Sequence, residues 1–138
     1  MSIGPQLTVM LQRIFDDAST HLMQQYKQCS VEETGCMYRD GHGNSCAIGG
    51  IIKDEFYDPA LECMPAIHIK VIRMISDSGY GPSVDLELIG EELNDLQCVH
   101  DGLPVDRWFS GLHRYAIRHN LNQDALIRAA ETYDRNMD

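Results

Sequence analysis

No stretch of the chain approaches the roughly 18 to 20 consecutive apolar residues that a membrane-spanning helix needs. The opening MSIGPQLTVM lacks the basic and apolar segments of a secretory leader. Together these absences predict a protein of the cytosol with no membrane partner. Basic residues are also scarce: 11 Lys and Arg stand against 21 Asp and Glu, a net charge of −10. Such a chain is repelled by phosphate backbones, which argues against direct nucleic-acid binding. The scarcity peaks between Arg73 and Arg107, where no Lys or Arg occurs while Asp77, Asp85, Glu87, Glu91, Glu92, Asp95, Asp101 and Asp106 accumulate. Metal and phosphate signatures are missing as well. There is no CxxC pair for a structural zinc, and neither the lysine–hydroxyl pattern of a P-loop nor a completed Gly-x-Gly-x-x-Gly. The five cysteines, Cys29, Cys36, Cys46, Cys63 and Cys98, are odd in number and irregularly spaced, as expected of reduced thiols packed as small hydrophobes.

What is present is helical periodicity. Leu7, Met10, Leu11, Ile14, Ala18, Leu22 and Tyr26 recur at steps of three and four and predict a helix over about 5–28, opened by Gly4-Pro5. Further helices are expected over about 59–76, 84–100, 104–118 and 123–133. In the second of these, Leu86, Ile89, Leu93 and Leu96 form the buried row; in the third, Trp108, Leu112, Tyr115 and Ala116 do. The exception is CMYRDGHGNSCAIGGII, from Cys36 to Ile52. Two short β-compatible runs, Cys36-Met37-Tyr38 and Cys46-Ala47-Ile48, flank a glycine-rich spacer, which predicts a β-hairpin at about residues 36–48. With 138 residues, enough for a core without staples, the expected fold class is α+β: one mainly α-helical domain with one β-hairpin.

The ordered set Cys36-x-Tyr38-Arg39, Gly43, Cys46-Ala47-Ile48-Gly49, Tyr57-Asp58-Pro59, Glu62, Leu96-Gln97-x-x-His100-Asp101 and Trp108 resembles a group of small uncharacterised proteins encoded by bacteriophages and prophages. The resemblance covers roughly residues 20 to 121. It implies context rather than chemistry: an accessory or anti-defence product acting in the host bacterial cytosol, with no implied catalytic residue.

Arg39, beside the predicted turn and next to Tyr38, has the fork geometry that holds a carboxylate or phosphate bidentately. With His42 at the loop tip, these residues are binding candidates. The alternative for Arg39 is a salt bridge to Glu62 or to an acidic residue between Asp85 and Asp95. Arg107, Arg114 and Arg118, spaced 7 and 4 apart, form one basic stripe and a second anion-binding candidate. Glu87, Glu91, Glu92 and Asp95 form a candidate partner-facing acidic surface, with a water-facing helix face as the simpler reading. Cys36 with Cys46, or His100 with Asp101, are weaker metal candidates, each short of a ligand set. No cofactor is expected. The reading is a non-catalytic binding protein. It inhibits a host protein through the acidic face, or it sequesters a small anionic, nucleotide-like ligand in a pocket that a homo-oligomer could build between subunits. A small metal- or cysteine-dependent hydrolase and a phage structural or assembly protein are the alternatives from other classes.

Overall fold

The structure, a computed structural model, describes the backbone of residues 4–26, 30–31, 35–36, 38–39, 45–63 and 66–137. It describes side chains for residues 4–26, 38–39, 45–60, 62, 66–99 and 103–132. His42 lies outside both sets, and the side chains of Cys36, His100 and Asp101 lie outside the second.

Among the described residues six α-helices carry the fold: α1 (Pro5–Gln25), α2 (Ile69–Ile75), α3 (Ser83–Leu88), α4 (Gly90–Gly102), α5 (Trp108–Arg118) and α6 (Asp124–Met137). Short 3-10 turns at Asp54–Phe56, Pro59–Cys63 and Val105–Arg107 and a π-helical turn at Ser76–Tyr80 connect them. The α1 helix is the spine. Proline at its first position needs no N–H partner there, and the helix ends where Tyr26 turns left-handed at φ 45° and donates its N–H to the Leu22 carbonyl. Its apolar row, Met10, Leu11, Ile14, Phe15, Ala18, Leu22 and Met23, is buried against α6, α5 and α4. Phe15 stacks on Tyr115 of α5 with centroids 5.8 Å apart. Fully covering Leu11, Ile14, Phe15 and Leu22 contributes roughly 1.5–3 kcal/mol each relative to exposure, far more than any surface ion pair.

The α+β expectation is overturned: the fold is all-α. Among the described residues, extended pairing is confined to two residues on each side, β1 (Ser30–Val31) against β2 (Gly35–Cys36), with Ser30 opposite Cys36 and Val31 opposite Gly35. One isolated bridge joins Arg39 and Ser45. The expected hairpin at 36–48 stops after the Arg39–Ser45 bridge and the Cys46 N–H bond to the Tyr38 carbonyl at 3.0 Å, because the groups beyond Cys46 are used otherwise. The Ile48 N–H donates to the buried Gln97 Oε1 at 3.1 Å, and the Gly50 N–H donates to the Cys46 carbonyl at 2.9 Å. The segment after Cys46 therefore coils into a turn instead of extending.

The helix expected over 84–100 is two helices. Ile89, at φ −111° and ψ 23°, leaves helical geometry between α3 and α4. Gly90 then begins α4 with a bare backbone against which Ile67 packs, its Cγ2 3.2 Å from where a Cβ would sit. The expected helix over 59–76 is likewise divided, into the Pro59–Cys63 turn and α2.

Candidate functional site

Tyr38 and Arg39 lie where the chain crosses itself. The Glu62 carboxylate accepts the Tyr38 N–H at 2.7 Å and the Arg39 N–H at 3.1 Å, and also takes the Tyr57 hydroxyl. Arg39 lays its guanidinium over the Tyr57 ring, 4.3 Å from the centroid. Its Nη1 donates to Asp54 Oδ1 at 2.7 Å and its Nη2 to the Ile52 carbonyl. Of the three guanidinium nitrogens of Arg39, Nε alone is buried without a hydrogen-bond partner among the described residues. The guanidinium is thus paired with neither Glu62, which takes the backbone instead, nor the α3–α4 acids. Gly49 passes so close to Tyr38 that an added Cβ would stand 2.1 Å from the Tyr38 carbonyl oxygen. Opposite, the Gln25 amide pairs with both backbone groups of Ser45, at 2.8 and 2.9 Å. Cys46 is fully buried and its Sγ accepts the Gly49 N–H at 3.2 Å. Tyr38, Arg39, Cys46, Gly49, Tyr57 and Glu62 meet here as a structural lock whose polar groups are nearly all consumed internally.

The α3–α5 face is built differently. Glu87 and Glu91 are exposed. Glu92 is half-buried, its carbonyl accepting the Tyr115 hydroxyl at 2.6 Å, which ties α5 to α4. Asp95 is exposed and turns to a groove of about 200 Å³ between α4 and α5. Cys98, Val99, Leu103 and Tyr115 also line it; Gly111 keeps the helices close, since a Cβ there would come 2.6 Å from Leu103 Cδ1. Arg114 and Arg118 line the groove from α5, while Arg107, seven residues before Arg114, does not. The basic stripe and the acidic row therefore meet, at a place where two arginines and a carboxylate share one groove. The only ion pair between described side chains is Arg39 with Asp54, so none of these three is paired among the described residues.

Burial, and secondarily the neighbouring charges, act on two groups beside this groove. Burial raises the Tyr115 hydroxyl well above its ordinary pKa, and Glu92 and Asp95 push the same way. Burial lowers the His119 imidazole, with Arg118 adding to that and Glu92 and Asp95 opposing it. Tyr115 and His119 rings lie 4.3 Å apart.

Among the described residues no three His, Cys, Asp or Glu side chains group as metal ligands, and no helix is long and apolar enough to cross a membrane. Residues that the periodicity did not nominate are exposed apolar ones: Val84 is 70% and Leu88 64% exposed, one turn apart on α3, and Ile67 is 52% exposed beside Gly90. The signal for them was available, because Val84 and Leu88 fall off the buried row of Leu86, Ile89, Leu93 and Leu96. No protein-family model, curated protein or solved structure matches the chain.

Proposed function

We propose that this is a non-catalytic binding protein whose α3–α4 face docks a basic surface of another protein. The observation that supports this reading most is the combination on one short stretch of two highly exposed aliphatic side chains, Val84 and Leu88, with the exposed carboxylates Glu87 and Glu91. Apolar surface that is contiguous and rimmed by polar residues marks interaction sites; Val84 and Leu88, one turn apart, give a small one, and the acids select a basic counterpart and steer its approach. In the setting that the phage-type resemblance implies, the partner is a bacterial host protein and docking inhibits it.

Affinity capture from bacterial lysate tests the reading with three baits: the wild-type chain, Glu87→Lys/Glu91→Lys, and Leu88→Ser. A protein retained by the wild type, lost from the charge-reversed bait and reduced on Leu88→Ser supports it. The purified partner should then bind less tightly as salt rises, because exposed charges are screened. An identical set of proteins on all three baits contradicts the proposal.

A further inference from the structure

The α4–α5 groove has a chemistry distinct from the docking face, and two features define it. One wall carries Arg114 and Arg118, four residues apart and so neighbours on the same helical face. The other carries Asp95, and the two walls form no ion pair with each other among the described residues. Cys98, Val99, Leu103, Gly111 and Tyr115 complete the lining, so that the aliphatic side chains of Val99 and Leu103 border the same space as the three charges. Two guanidinium groups side by side suit a carboxylate, which accepts paired N–H donors, while a carboxylate across the groove suits an ammonium group. A polyanion such as a nucleotide meets Asp95 in the same space and the repulsion of a chain with net charge −10. The volume of about 200 Å³ is also below the roughly 300 Å³ at which pockets for drug-sized ligands begin.

We infer that this groove binds a free α-amino acid with an aliphatic side chain: its carboxylate on Arg114 and Arg118, its ammonium on Asp95, and its side chain over Val99 and Leu103. This site is independent of the docking face on α3, and either can fail without the other. It also replaces a simple anion site at the basic stripe with a zwitterion site, because the carboxylate wall penalises ligands that bring negative charge alone.

The test uses the full chain and leucine as the probe, followed by amide resonances of residues 95–118. Leucine is expected to shift them with a Kd of about 1 mM or tighter. Its two truncated analogues, 4-methylpentanoate without the ammonium and leucinamide without the carboxylate, should each bind at least about tenfold more weakly. Arg114→Gln/Arg118→Gln should abolish the shifts. Asp95→Asn should remove the preference for leucine over 4-methylpentanoate at an unchanged melting temperature, since Asp95 is exposed. Absence of leucine-induced shifts overturns the inference. So does 4-methylpentanoate or adenosine monophosphate binding as tightly as leucine, a result that depends on the wild-type chain alone.

Discussion

The crossing at residues 38–62 and the α3–α5 face hold the two kinds of residue that look functional in a sequence, and they use them in opposite ways. At the crossing, a carboxylate, a guanidinium and a tyrosine hydroxyl are spent on backbone groups and on each other: Glu62 holds two N–H groups and Tyr57, and Arg39 holds Ile52, Asp54 and the Tyr57 ring. On the α3–α5 face, Glu87, Glu91, Asp95, Arg114 and Arg118 are all exposed, and Glu87 and Glu91 share a short stretch with the open side chains of Val84 and Leu88. A charged residue that is consumed internally contributes to the fold, and one left open beside apolar surface is available to a partner. Residue type alone does not separate the two cases; what satisfies the group does.

The contrast can be broken in order of expected effect. Gly49→Ala should be the most damaging single change, destabilising by about 4 kcal/mol or more, because the new Cβ meets backbone at Tyr38 rather than a movable side chain. Chemical denaturation measures it, and a loss below about 1 kcal/mol would show that the crossing can relax. Glu62→Ala comes next, at about 3 kcal/mol. It leaves the N–H of buried Tyr38 and that of Arg39 without their acceptor.

A pH effect follows from His119 at the end of α5. Its pKa is lowered in the folded chain, mainly by burial, so between that lower value and the usual one near 6.5 the unfolded chain binds the proton more readily. Stability is therefore expected to fall as pH drops through about 6.5, and the loss is complete below the folded-state value. Melting curves from acid to neutral pH, compared with His119→Asn, isolate this contribution; parallel curves for the two proteins would contradict it. Smallest of all, Asp54→Ala should cost no more than about 0.5 kcal/mol, since Asp54 is 97% exposed although its partner Arg39 is not. A larger cost would mean that the ion pair, and not stacking on Tyr57 with the Ile52 carbonyl, fixes Arg39.

Some of this was legible in the sequence. The row from Met10 to Leu22 and the row Trp108, Leu112, Tyr115 and Ala116 are buried because a 3.6-residue period states directly which side faces inward. The hairpin was misread because Cys46-Ala47-Ile48 has β-compatible side chains. The Cys46 N–H does reach the Tyr38 carbonyl, but the Ile48 N–H goes to Gln97, 49 residues further along, and no local pattern reveals that. The division between α3 and α4 did have a local sign in Gly90, a poor helix residue inside an otherwise regular row. The stripe Arg107, Arg114 and Arg118 was readable as a stripe. That Asp95 shares a groove with only the last two depends on how α4 packs on α5, which spacing within one helix does not encode.

The central claim is that the motif-bearing crossing maintains the fold while the open face binds. Retention of the lysate partner, measured beside melting temperature for Arg39→Gln and Glu87→Lys/Glu91→Lys, tests it most directly. The account predicts that Arg39→Gln melts lower yet keeps the partner, and that the double variant melts as the wild type does yet loses it. A stable Arg39→Gln protein that no longer binds, or a charge-reversed protein that still does, would contradict it.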